Sequence, residues 1–114
     1  MTYILGLSGS LRAQSSNSAL LREAARAYGP IAYHEADLRL PLYDGDHETT
    51  QGIPPVVIAL AAEIAGASAV LISTPEYNKG PSGVLKNALD WISRVKPQPL
   101  AGKPVAVMSA AAGR

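Results

Sequence analysis

The feature that most constrains the fold is a regular alternation of short apolar runs and segments with helical periodicity. The apolar runs predict four β-strands, at residues 3–7, 31–35, 69–72 and 104–108. Helical patterns lie between them and predict helices that end near Tyr28, Ala65 and Val95. Strands joined in this way form parallel sheets through right-handed crossovers. The 114 residues therefore predict a single doubly wound α/β domain spanning residues 1–114.

Three unusual loops each follow a predicted strand. They are Ser8–Asn17, Thr74–Gly83 and Ser109–Arg114. In a parallel sheet the loops that follow the strands share the carboxyl edge, where open α/β sheets bind ligands. We expect the three loops to form one site. The other long connection, Asp37–Gly52, is polar and interrupted by Pro and Gly, and it predicts no regular element.

The first loop has the composition of an anion-binding turn. It carries four serines, Asn17 and Arg12 between a strand and a helix N-terminus. Free N–H groups and the helix dipole favour an anion there, and an arginine adds a charge-assisted contact to a phosphate. The alternative is a turn that Ser16 or Asn17 caps without a ligand. The spacing matches neither the dinucleotide fingerprint nor the P-loop, and a nucleophile elbow would need a serine-to-glycine change at Ser10.

The second loop, residues 74–83, combines two prolines with two glycines. Such a stiff loop could present backbone groups to a flat heteroaromatic ring, with Tyr77 packed beside it. A rigid turn ending in a Ser82 helix cap is an equally good interpretation. In the helix that follows, Asp90 and Arg94 have ion-pair spacing. Trp91 is expected at the rim of the apolar face, partly buried or in a subunit contact.

Composition excludes several classes of protein. The net charge of +1 argues against nucleic-acid binding, and the lack of cysteine excludes disulfides and thiolate chemistry. His34 and His47 are expected to be solvated or structural, so we predict no metal site. No apolar run reaches membrane-spanning length and no leader is recognisable, which indicates a cytoplasmic protein.

Four ordered motifs together resemble the NAD(P)H-dependent FMN reductase family of quinone, azo and chromate reductases. They are Gly9–Arg12 with Ser15 and Asn17, Pro75–Asn78, Ser82–Trp91 and Gly102–Val107. The resemblance covers essentially the whole chain. It implies a three-layer flavodoxin-like fold with strand order 2-1-3-4-5. Because only four strands are predicted, the domain is expected to be truncated after the fourth strand and to lack the last strand and helix.

The resemblance also implies which residues bind the cofactor FMN. The phosphate site falls on Ser10, Arg12, Ser15 and Asn17 of the first loop, and Ser16 is counted with them as a further hydroxyl group of that loop. The isoalloxazine-contacting loop falls on Pro75, Glu76, Tyr77 and Asn78. A third contact begins at Ser109, after the fourth strand. No side chain is assigned a catalytic role, because FMN itself accepts the hydride.

The implied function is that of an oxidoreductase that passes electrons from NADPH or NADH through bound FMN to a quinone, a flavin or a similar acceptor. Donor and acceptor would share one face of the flavin, which predicts ping-pong kinetics. The resemblance further implies a homodimer or homotetramer. Two alternatives are an electron carrier without nicotinamide turnover and a truncated fragment without activity.

Overall fold

A computed structural model describes residues 2–11, 16–75 and 82–109 of the chain. Four strands form a parallel sheet with the order β2-β1-β3-β4. The elements, in chain order, are β1 Tyr3–Ser8, α1 Ser16–Tyr28, β2 Ala32–Glu35, α2 Gly45–Gln51, α3 Pro55–Gly66, β3 Ala69–Ser73, α4 Gly83–Ile92 and β4 Val105–Met108. The predicted strands and their parallel arrangement are confirmed, and the fold is flavodoxin-like.

Helices cover the sheet from both sides, which makes three layers. The larger core packs α3 and α4 against one face and includes Leu5, Val70 and Ile92. The smaller core packs α1 against the other face through Ile4 and Leu21. Successive residues of β1 thus enter opposite cores, as a strand's twofold side-chain alternation requires.

The segment at residues 37–52 contains a helix that the sequence interpretation missed. Helix α2 begins after Asp44, whose carboxylate accepts hydrogen bonds from the N–H groups of Asp46 (2.9 Å) and His47 (3.4 Å). It has seven residues and buries none of them. The apolar periodicity from which helices are recognised is therefore missing, and only the Asp44 cap could have indicated it.

Helix α4 begins where the sequence predicts, because Ser82 Oγ accepts the N–H of Leu85 at 3.2 Å. It ends at Ile92, three residues before the predicted end at Val95. The predicted Asp90–Arg94 pair is wrong. Asp90 instead pairs with Lys86 at 3.2 Å, and Arg94 reaches Glu48 on α2 at 3.0 Å.

The expected rim position of Trp91 is also wrong, because its side chain is fully buried. The indole N–H donates to the Pro41 carbonyl at 2.7 Å, and the Tyr43 ring packs edge-on with centroids 4.8 Å apart. The covering segment comes from residues 37–44, a region that the sequence interpretation left without structure. That segment buries completely a tryptophan that was expected at the rim of the apolar face.

The described ranges contain neither a membrane-spanning helix nor a metal-binding cluster. No described helix combines the length and apolarity needed to cross a bilayer. Within the same ranges, no group of three or more His, Cys, Asp or Glu side chains could hold a metal ion.

Candidate functional site

The described residues of the three loops identified from the sequence meet at the carboxyl edge of the sheet. The Gly9 N–H donates to the Ser73 carbonyl at 2.7 Å, which joins the loop after β1 to β3. The Thr74 N–H donates to the Met108 carbonyl at 3.2 Å, and Ser109 Oγ donates to the Thr74 carbonyl at 2.9 Å. The described parts of the three loops therefore form one continuous edge, as predicted.

Gly9 sits where these loops are packed most closely. A Cβ at this position would lie 2.7 Å from both Ser82 Oγ and Thr74 Oγ1. Both oxygens are engaged, since Thr74 Oγ1 accepts the Ser82 N–H at 3.1 Å while Ser82 Oγ caps α4. Only glycine allows this approach without displacing the start of α4.

Serines 8 and 10 shape the turn that leaves β1. Ser8 Oγ donates to the Ser10 carbonyl at 3.2 Å, and the Ser10 N–H lies 3.3 Å from the same Ser8 oxygen. Ser16 opens α1 and is exposed. This residue therefore marks the end of α1 that carries the partial positive charge of the helix dipole.

Asn17 has a structural contact that the sequence interpretation did not anticipate. It is buried, and its Oδ1 accepts the Ser73 hydroxyl at 2.6 Å. This bond ties the first turn of α1 to the end of β3. Asn17 thus fixes where the N-terminus of α1 lies relative to the sheet edge.

A cluster of polar side chains lies at the end of β2, beside the turn that leaves β1. Ser18, buried on α1, donates to Glu35 Oε2 at 2.8 Å and lies 3.2 Å from Ser8 Oγ. Tyr33 donates to Glu35 Oε1 at 3.0 Å. Burial, followed by the charge of Glu35, raises the pKa of Tyr33, so its hydroxyl remains a donor. The sequence interpretation did not assign a role to Glu35, which is the last residue of β2.

Hydrogen bonds join α2 and the segment before it to α4 and to Arg94, which follows α4. Tyr43 donates to Glu48 Oε1 at 2.8 Å, and Arg94 Nε donates to both Glu48 oxygens at 3.0 and 3.1 Å. The hydrogen bond from Tyr43, and then that from Arg94, lower the pKa of Glu48. Asn87 adds two bonds, accepting the Tyr43 N–H at 2.8 Å and donating to the Pro41 carbonyl at 3.0 Å.

Five of the predicted cofactor-binding residues belong to the described part of the chain. They lie at the sheet edge or at the start of α1: Ser10, Ser16, Asn17, Pro75 and Ser109. The other predicted contacts lie outside the described residues: Arg12, Ser15, Glu76, Tyr77 and Asn78.

Comparisons with known proteins agree with this architecture. The family model for NADPH-dependent FMN reductase matches residues 2–114. An NAD(P)H-dependent FMN reductase from Pseudomonas aeruginosa is 48% identical over 113 residues, which cover 97% of this chain and 60% of that protein. A quinone reductase from Escherichia coli K12 is 42% identical over 113 residues, covering 96% of this chain and 60% of the relative.

Among solved structures, the flavoenzyme NAD(P)H:(acceptor) oxidoreductase FerB from Paracoccus denitrificans superposes with a TM-score of 0.80 at 35% identity. The match covers 96% of this chain and 60% of FerB. The chain thus spans about 60% of the length of the relatives that it matches. With a family model that matches nearly every residue and relatives above 40% identity, the chain belongs to the NADPH-dependent FMN reductase family.

Proposed function

We propose that the protein acts as an NAD(P)H-dependent oxidoreductase that binds FMN and passes electrons from NADPH or NADH to a quinone, a flavin or a similar small acceptor. The observation that carries the proposal is the meeting of three loops at the carboxyl edge, beside the N-terminus of α1. It is supported by family membership and by the named activities of the relatives, which are reductases of FMN and quinones.

The donors at this edge have the chemistry that the phosphate end of FMN requires. Ser16 opens α1, where the positive end of the helix dipole favours an anion, and Ser10 lies in the turn that leaves β1. Arg12 and Ser15 would complete this set, and Asn17 would act through its bond to Ser73, holding the helix end in place. On the other side of the site, the Pro75–Asn78 loop and Ser109 would border the flavin ring.

Bound FMN would supply hydride acceptance and onward electron transfer, so the protein needs no nucleophile of its own. The task of these residues is to bind the phosphate, orient the ring and keep one face open. Because donor and acceptor would occupy that face in turn, we propose ping-pong kinetics. We also propose a cytoplasmic homodimer or homotetramer, which sedimentation of the FMN-loaded protein would test.

Two measurements test the proposed function directly. FMN titrated into the protein should lose fluorescence, and NADPH or NADH mixed with the complex should bleach its visible absorbance. A flavin that binds but stays oxidised would instead indicate an electron carrier. An absence of FMN binding would contradict the proposal altogether.

The Arg12→Ala substitution tests the phosphate assignment. Charge-assisted hydrogen bonds contribute about 1.5–3 kcal/mol, so FMN should bind at least roughly tenfold more weakly. Arg26→Ala is the matched control, because Arg26 lies on exposed α1 surface, where it pairs with Glu23. FMN affinity that is equal in the two variants would contradict the assignment of Arg12.

A further inference from the structure

The segment at the end of β2, residues 35–39, lies beside the loop proposed to bind the FMN phosphate, residues 8–17. Its residues alternate between two environments, as along an extended strand. Ala36 and Leu38 are buried in the larger core, whereas the residues on either side of each are exposed. The core therefore holds this segment in place while its polar side chains remain available to the loop.

The two carboxylate oxygens of Glu35 have different partners. Oε1 accepts the Tyr33 hydroxyl at 3.0 Å and lies 4.0 Å from the Arg22 guanidinium. Oε2 accepts the Ser18 hydroxyl at 2.8 Å. Because partners on Oε1 fix the orientation of the carboxylate, Oε2 stays directed at Ser18. Arg22 also offsets the negative charge of Glu35, which would otherwise disfavour an anion in the neighbouring loop.

Ser18 connects Glu35 with the turn that leaves β1. Its single hydroxyl hydrogen is donated to Glu35, so Ser18 Oγ is an acceptor for Ser8 Oγ, 3.2 Å away. Ser8 Oγ lies equally far from the Ser10 carbonyl and accepts the Ser10 N–H at 3.3 Å. Ser8 and Ser18 are both buried, where a polar group is costly to leave without a partner. This chain of hydrogen bonds therefore resists rearrangement.

Arg39 makes a second connection, farther along the loop. Asp37 Oδ1 accepts both the Arg39 N–H at 3.0 Å and its Nη1 at 3.3 Å, while Nη2 donates to the Leu11 carbonyl at 2.9 Å. Leu11 immediately precedes Arg12, the residue assigned to the phosphate. A guanidinium can bridge two partners because its nitrogens are fixed in one plane, and the compact ammonium of lysine lacks this geometry.

We propose that these contacts hold the phosphate loop in its binding conformation before FMN binds, with Glu35, Ser18 and Arg39 as positioning residues. A loop that is ordered in advance loses less conformational freedom on binding, which strengthens the binding. A cleft of about 350 Å³ lies between the loop and residues 35–39, so the loss of one connection should release the loop locally. The inference rests on the proposed function, because it gives these residues a part in FMN binding.

Ser18→Ala tests the connection through Glu35, with FMN and riboflavin titrated separately and binding followed by quenching of flavin fluorescence. Riboflavin lacks the phosphate, so only the Kd of FMN should rise, roughly threefold to tenfold, and the preference for FMN should fall by the same factor. A general loss of structure would instead weaken the binding of both flavins. Ser93→Ala is the matched control, because that hydroxyl donates to the Asp90 carbonyl at the C-terminal end of α4.

Arg39→Lys tests the second connection and separates geometry from charge. The Arg39 side chain is 62% exposed, so the fold should tolerate the change. Lysine keeps the positive charge but loses the bridge between Asp37 and Leu11, and the preference for FMN over riboflavin should fall roughly threefold. If Arg39 acted by charge alone, the preference would be retained. Arg26→Lys is the matched control, since Arg26 pairs with Glu23 on exposed α1 surface.

An unchanged preference for FMN in either folded variant overturns the role of the residue that it replaces, and so does an equal loss of affinity for both flavins. If riboflavin binds too weakly to titrate, inorganic phosphate that competes with FMN replaces it, and its inhibition constant should rise by the same factor as the Kd of FMN. The unsubstituted protein tests the proposed function separately. FMN binding there, with unchanged variants, overturns only the positioning roles, whereas no FMN binding overturns the function and the roles together.

Discussion

At the scale of single residues, Gly9 determines how closely the loops of the site can approach one another. Gly9→Ala would push a methyl group against Ser82 Oγ and Thr74 Oγ1, each 2.7 Å away. Both oxygens belong to the cap of α4, so relief of the clash would loosen that helix. We expect a loss of about 1–3 kcal/mol in the free energy of unfolding, measured by urea denaturation.

Gly83→Ala is the matched control for this substitution. A Cβ at Gly83 meets nothing within 4 Å, and the residue opens α4. Alanine there should leave stability unchanged or raise it by up to about 1 kcal/mol. Equal stability of the two variants would show that the loops can separate at little cost.

Individual side chains also mark where sequence reasoning succeeds and fails. Ser82 is recognisable as a helix cap because capping depends on local spacing, and the structure confirms it. Trp91 was expected at the rim because its helix places it between a polar and an apolar face. Its burial depends on the Pro41 carbonyl, 50 residues away in the chain, and no local pattern encodes that contact.

At the scale of elements, the contact between α2 and α4 makes stability depend on pH. The pKa of Glu48 is lowered in the folded protein, first by the Tyr43 hydrogen bond and then by Arg94. A carboxyl group with a lowered folded-state pKa stabilises the fold at neutral pH. That contribution disappears as the pH falls through the lowered pKa.

Glu48→Gln should therefore reduce the midpoint of urea denaturation at neutral pH, and the difference from the unsubstituted protein should shrink toward about pH 3. Glu63→Gln, on the exposed side of α3, is the control and should show a much smaller change at neutral pH. A Glu48→Gln deficit that persists undiminished at low pH would assign the effect to packing rather than to charge.

The elements differ in how far the sequence determines them. Strands β1 and β3 are continuous apolar runs buried on both faces, so composition alone locates them. Helix α2 is polar throughout and is held by Glu48 and by the Asp44 cap rather than by a buried face. The sequence therefore predicts well the strands that carry the site, and it predicts poorly the segment that contains α2.

At the scale of the whole molecule, β4 is the outermost strand of the described sheet, in a chain that spans about 60% of the length of its relatives. Parallel strands are normally covered on both faces, yet Val105 and Val107 of β4 are 44% and 69% exposed. Strand β4 pairs with β3, and no described strand pairs with its other side. Backbone donors and acceptors along such an edge can pair with a second chain.

If copies of this chain pair along β4, Val107→Lys should weaken that association, because two copies meeting along β4 would bring like charges together. Such juxtaposition costs several kcal/mol, so association should weaken roughly tenfold or more. Sedimentation velocity over a range of protein concentrations measures the change. Ile58→Lys is the control, since Ile58 is 49% exposed on α3, away from the sheet edge. If both variants associate as the unsubstituted chain does, copies of the protein meet through another surface, and the β4 edge is not what joins them.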